Sequence, residues 1–389
     1  MHLRFIIHFA AILYSFNSYA VAVIPGAGNM AAYLPQLGGK RVGLIVNQTS
    51  VLGNIHLVDT LIKRGVKVVK IFAPEHGFRG KADAGEKISD SVDPSTGIPI
   101  ISIYGSKRAP QKSDLEGVDI LVFDIQDVGV RFYTYISTLH YVMQSCHENN
   151  RSLIVLDRPN PNGHFVDGNI LDTAYRSFVG MHPVPIVHGM TIGEYGQMIN
   201  GENWLGFGRR CQLEVIPCLG YRHADPYDLP IPPSPNLPNM RAILLYPSIC
   251  YFEGTPVSLG RGTDKQFQVL GAPAMQTGDF TFTPRPFPGA TNPPQNGLLC
   301  RGRNLSGLEV EDLRRLGRID LSYLISFYRD YPQKDSFFLK GLFFDKLAGG
   351  SNLREMLVAG YSEERIRESW QPGLAKFLLT RKKYLLYQD

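Results

Sequence analysis

Glu75, His76 and Arg79 sit together in Pro74-Glu-His-Gly-Phe-Arg-Gly80. A carboxyl, an imidazole and a guanidinium at this spacing can move a proton, position a substrate and neutralise an anion. Pro74 and the two glycines confine them to a tight, unusual backbone path. The plainer alternative is a Glu75–Arg79 ion pair with His76 capping a turn. As metal ligands, Glu75 and His76 would need a third partner such as Asp124, Asp127 or His188. The spacing is not that of a zinc-binding helix, so neither metal nor cofactor is expected.

Other polar clusters recur along the chain. Asp124-Ile-Gln126-Asp127 supplies two carboxylates. Residues three apart on an extended chain point to opposite sides, so one is expected to face a ligand. The other is expected to bind backbone N–H groups of the Gly129 loop. Arg131, Tyr133 and Tyr135 interleave a guanidinium with aromatic rings, which suit an anion and a sugar face. Asp157-Arg158-Pro-Asn160 is either an internal salt bridge locking a turn or part of a site. His188-Gly-Met-Thr191 precedes Glu194, which stands at the capping-box position of a helix.

The elements that must hold these groups are short apolar strands alternating with amphipathic helices. Strands are expected at Arg41–Val46, Val66–Ile71, Ile98–Tyr104, Val118–Phe123, Ser152–Leu156 and Val184–Val187. Helices are expected near 56–64, 133–149 and 191–204. This pattern predicts an α/β fold, a Rossmann-like and mostly parallel sheet with helices on both faces. Each polar cluster follows a strand end, so the clusters should converge on one rim of the sheet. A Pro-rich stretch, 229–238, leads to an expected boundary near Tyr246. A smaller C-terminal α+β domain, 247–389, should then complete the cleft of the domain spanning 23–246.

With 389 residues the chain has room for both domains. Its charged content of 19% and net charge of +5, without a Lys/Arg run, argue against a nucleic-acid partner. Residues 1–22 carry Arg4, an apolar stretch and Ala20-Val-Ala22, the pattern of a cleaved export signal. An exported, periplasmic protein without stable membrane insertion is the expectation. The five cysteines form no C-x-x-C, and Cys211 and Cys218 flank one strand too far apart to bridge. No nucleotide-binding glycine motif follows the first strand, where Asn47-Gln-Thr-Ser50 stands instead, and no G-x-S-x-G elbow occurs. Several carboxylates without a nucleophilic Ser or Cys candidate point to acid/base chemistry, as in glycoside hydrolysis.

Together these segments resemble one family, the exo-β-N-acetylmuramidases of the NamZ type, formerly a domain of unknown function. The resemblance rests on Asn47–Ser50, Pro74–Gly80, Asp124–Tyr135, Asp157–Pro161, Val187–Thr191, Pro233–Asn236, Phe252–Thr255 and Gly260–Thr263. Phe343–Leu347 and the helix from Trp370 to Tyr387 add to it. It implies an exo-acting glycoside hydrolase that releases N-acetylmuramic acid from the non-reducing end of peptidoglycan fragments. Under it Glu75 is the general acid/base, with Asp127 or Glu194 as the second carboxylate. His76 and Tyr133 would position substrate, and Asn47, Gln126, Asp157, Asn160 and His188 would bind it. Arg79, Arg131 or Arg261 would meet the lactyl carboxylate of muramic acid. Two rivals are a periplasmic sugar- or muropeptide-binding module without catalysis and a metal-dependent hydrolase.

Overall fold

Residues 22–78, 86 and 89–389 are described by a computed structural model. The export signal (but for Ala22) and Arg79 lie outside the described residues. No described helix is long and apolar enough to cross a membrane.

The first part of the chain builds nine strands: β1 (Arg41–Val46), β2 (Val51–Leu52), β3 (Ile55–His56), β4 (Lys67–Ala73), β5 (Ser91–Val92), β6 (Pro99–Ser102), β7 (Ile120–Asp124), β8 (Ser152–Leu156) and β9 (Gln212–Ile216). Seven of them form one sheet in the order β5-β6-β4-β1-β7-β8-β9. Every pairing in it is parallel except the β5–β6 edge. The chain winds outward from β1 through β4 to β6, then returns to β7 and winds the other way. The carboxyl ends of β1, β4 and β7 therefore flank the switch point where ligands bind in such sheets.

Alternating side chains divide the core between the two faces of the sheet. Leu44, Ile71, Val122 and Ile154 pack with α1 (Met30–Leu37) and α2 (Leu57–Lys63). Ile45, Phe72, Phe123 and Val155 pack with α3 (Tyr135–Glu148) and α4 (Ile192–Gly201). The second cluster continues without a break into C-terminal side chains such as Phe252, Phe344 and Trp370. One helix, α5 (Met240–Ile249), runs across the expected boundary at 246.

The expected strand at 184–187 is not a sheet strand. Pro183 and Pro185 remove two ladder donors. Val187 makes only isolated bridges, to Val130 and Asp167, and β9 takes the outer place in the sheet. Beyond α5, strands β10 (Val269–Ala272), β11 (Phe280–Phe282) and β12 (Cys300–Asn304) form an antiparallel sheet in the order β10-β12-β11. Helices α6 (Val310–Leu316), α7 (Ser322–Asp330), α8 (Phe343–Ala348), α9 (Asn352–Val358) and α10 (Glu363–Arg381) complete the chain. All five cysteines are buried and free.

Candidate active site

Strand β4 ends at Ala73, and the chain turns sharply through Pro74 to Phe78. His76 has φ +68° and Gly77 φ +78°. A left-handed histidine is strained, and such strain persists where surrounding contacts impose it, often at functional sites. The turn places Glu75 and His76 in the wall of a cleft of about 220 Å³. Tyr104, Tyr133, Tyr135 and Phe178 line it from the sheet side. Tyr246, Glu253, Arg261 and Phe267 line it from the C-terminal side.

Both oxygens of Glu75 accept from hydroxyls, Oε1 from Tyr104 Oη at 2.8 Å and Oε2 from Thr134 Oγ1 at 2.7 Å. The carboxyl is thereby aimed, while it still borders the open cleft. Behind it the tyrosines are fixed: Tyr133 Oη donates to Pro233 O at 2.9 Å, and Asn47 Nδ2 donates to Tyr135 Oη at 2.9 Å. Their rings meet edge to face, with centroids 5.1 Å apart. Asn47 thus shapes the aromatic wall from behind and does not line the cleft itself. Its Oδ1 is taken by the Thr49 N–H and hydroxyl.

Across the cleft, Arg261 Nη2 and Nε contact Glu253 Oε1 at 2.5 and 3.0 Å. The guanidinium also lies 5.0 Å from the Phe267 ring centroid, within cation–π range. The guanidinium is thus held in place by its own counter-ion and a ring. Neither Glu253 nor the Glu75-binding hydroxyls of Tyr104 and Thr134 stood out in the sequence. Tyr104 ends a segment expected to be a strand, so the strand-end rule could have found it. Thr134 and Glu253 lie inside segments that carry the family resemblance, but their immediate neighbours do not mark either as a cleft residue.

Arg131 is not at the cleft. It is completely buried, and its Nη1 and Nη2 donate to the carbonyls of Asn169, Val184, Leu347 and Ala348 at 2.7–3.1 Å. Burial brings its pKa down to about 10. This guanidinium ties two distant chain segments together. A Cβ on Gly349, whose φ is +81°, would come within 2.4 Å of Arg131 Nη2.

The second carboxylates expected from sequence are also turned into the protein. Asp127 Oδ1 accepts from Gly129 N at 2.7 Å, while its Oδ2 is buried without a partner. Desolvation raises its pKa to about 7. Gln126 Nε2 donates to Asp127 O and Pro159 O, both at 2.8 Å. Asn160 Nδ2 donates to Met190 O at 2.9 Å and its Oδ1 accepts from Asn162 N at 2.8 Å. Gly129 has φ +73°, and a Cβ there would strike Asn160 at 2.2 Å. Arg158 pairs with buried Asp124, at 2.6 and 2.9 Å, and not with its neighbour Asp157.

Asp157 and Glu194 form a separate buried cluster. Glu194 Oε2 accepts from Thr191 N and His223 Nε2, both at 2.9 Å, and its Oε1 from Leu386 N at 2.7 Å. The capping box at the start of α4 is complete. Asp157 Oδ2 accepts from Thr191 Oγ1 at 2.7 Å and Tyr387 Oη at 2.6 Å; Oδ1 accepts from Gly193 N at 2.8 Å. Burial, reinforced by the Glu194 charge, raises the Asp157 pKa to about 6. His188 is buried next to Tyr195, and burial lowers its pKa to about 3. These side chains latch the C-terminal tail onto the sheet; they do not line the cleft. Among the described residues no group of three or more His, Cys, Asp or Glu is arranged to hold a metal ion.

A family model described as "Exo-beta-N-acetylmuramidase NamZ, N-terminal" matches residues 42–241, and its C-terminal counterpart matches 244–387. The peptidoglycan beta-N-acetylmuramidase NamZ of Bacillus subtilis (strain 168) is 39% identical over 373 residues. That alignment spans 91% of this chain and 89% of the relative. The crystal structure of a DUF1343 family protein from Bacteroides fragilis NCTC 9343 is 50% identical, with a TM-score of 0.87. It covers 95% of this chain and 100% of its own. A second DUF1343 structure from the same organism is 29% identical with a TM-score of 0.77, over 94% and 99% of the two chains.

Proposed function

This chain belongs to the exo-beta-N-acetylmuramidase NamZ family, and from that premise we propose that it is a peptidoglycan-directed glycoside hydrolase. It removes a terminal N-acetylmuramic acid from the non-reducing end of glycan fragments. The observation that carries the reading is Glu75, aimed by two hydroxyl donors at the edge of an aromatic-walled cleft. Glu75 gives its proton to the glycosidic oxygen as the bond to the anomeric carbon breaks. It then takes a proton from the water that completes hydrolysis.

Of the three arginines expected to meet the lactyl carboxylate, Arg79 lies outside the described residues and Arg131 is spent on carbonyls; Arg261, which lines the cleft, is the one we assign to it. Tyr133 offers its ring to the sugar, with the fully buried Tyr135 packed behind it. A cleft of about 220 Å³ lies below the roughly 300–1,000 Å³ typical of larger ligands. That size supports reception of one terminal ring. The division into an N-terminal part to residue 246 and a C-terminal part that completes the cleft belongs to the same proposal. So does export to the periplasm, where such fragments occur.

A pair of disaccharides tests the reading. One carries N-acetylmuramic acid at the non-reducing end, and the other carries it at the reducing end. Release of free muramic sugar from the first alone is expected. Equal cleavage of both would refute exo action, and binding of the first without cleavage would favour the non-catalytic binding module. Arg261→Ala should raise KM for the first by roughly tenfold or more, the worth of a charge-assisted bond.

A further inference from the structure

One residue of the cleft lining carries a buried polar atom with no partner. Asn236 follows the Pro-rich segment and is 1% exposed. Its Nδ2 donates to Gly289 O at 2.8 Å, which fixes which end of the amide is oxygen. Its Oδ1 is buried and accepts from nothing. Among the described residues with such orphaned buried atoms, only Asn236 also lines the cleft. An unsatisfied buried acceptor is costly unless a ligand brings the missing donor.

The chemistry of that donor is constrained. With Nδ2 committed, Asn236 can accept a hydrogen bond but has none to give. A sugar hydroxyl has lone pairs that also look for donors, whereas an amide N–H only donates. The acetamido group is the source of such an N–H on an N-acetylmuramyl ring. Nearby, the Glu253 carboxylate is occupied by Arg261.

Resting on the muramidase reading above, we propose that Asn236 Oδ1 accepts the acetamido N–H and turns that group's own oxygen toward the anomeric carbon. In the first step the acetamido oxygen forms a bond to C1 as the C1–O glycosidic bond breaks. The bonding electrons leave with the glycosidic oxygen, which takes the Glu75 proton. The positive charge of the resulting oxazolinium ring is shared by its N–H, which Asn236 holds. In the second step water attacks C1, gives a proton to the Glu75 carboxylate and returns the acetamido group. Two displacements at C1 leave the β configuration retained.

The test uses the full chain and 4-nitrophenyl β-N-acetylmuramide, with proton NMR of the first-formed sugar. Retention is expected. The N-trifluoroacetyl analogue, whose oxygen is a poorer nucleophile, should be cleaved by wild type at least about tenfold more slowly. Asn236→Ala, scaled to its folded fraction because it also loses the bond to Gly289 O, should lower kcat by roughly tenfold, the loss of one substrate hydrogen bond. Inversion, or equal rates on the two amides, with the parent muramide cleaved, would overturn this inference alone. No cleavage of the parent muramide would overturn both it and the muramidase reading.

Discussion

Two clusters at strand ends draw on the same residue types and do opposite things with them. After β4, Glu75 is held by Tyr104 and Thr134 at an open cleft. After β8, Asp157 and Glu194 are held by Thr191, His223, Tyr387 and the backbone of the C-terminal tail. In the first, the protein's donors leave the carboxyl bordering an open cleft. In the second, the protein's own groups enclose the carboxyls. A carboxylate, a histidine and a tyrosine at a strand end therefore do not define an active site. What separates the two is whether the carboxyl borders an open cleft or is enclosed by the protein's own groups.

The contrast breaks if Glu194 matters to chemistry more than to folding. Glu194→Ala leaves His223 and two tail N–H groups without their acceptor and should cost about 3–5 kcal/mol in urea unfolding. The fraction that stays folded should keep its KM. Next in size is a pH effect from the orphaned carboxyl of Asp127. Its folded pKa, raised to about 7, lies above the ordinary 3.8. Its contribution to stability is therefore fully present below pH 3.8 and lost as pH rises through 7. Relative to Asp127→Asn, wild type should lose up to about 1.4 kcal/mol per pH unit across that window, read as melting temperature against pH. A wild type that instead gains stability relative to Asp127→Asn as pH rises across that window would contradict the assignment. The smallest effect sharpens the cleft side. Tyr104→Phe removes one donor from Glu75 and should lower kcat/KM roughly tenfold while costing less than about 1 kcal/mol of stability.

The sheet was legible because its strands are continuous apolar runs, and the α4 capping box because Thr191 and Glu194 are close in sequence. The Glu75 turn was legible for the same local reason, its Pro and Gly punctuation. Arg131 was misread because four carbonyls from residues 169–184 and 347–348 leave no mark near position 131. The roles of Asp157 and Glu194 were hidden in the same way: Leu386 N reaches Glu194 across 192 residues. Thr134, Asn236 and Glu253 stand inside segments that carry the family resemblance, but their place at the cleft, like that of Tyr104, comes from tertiary packing that their sequence neighbours do not encode. The strand expected at 184–187 does not form because Pro185 within it and Pro183 just before it lack ladder N–H groups.

On the proposed reading, Glu75 performs the proton transfer and the tail latch does not. The most direct measurement is kcat on the chromogenic β-muramide for Glu75→Gln beside Glu194→Gln, each scaled to its folded fraction. The account predicts a loss of about 10²–10⁴ for Glu75→Gln with substrate still bound, and less than about threefold for Glu194→Gln. A Glu75→Gln enzyme that turns over at the wild-type rate, or an equal collapse in both variants, would contradict it.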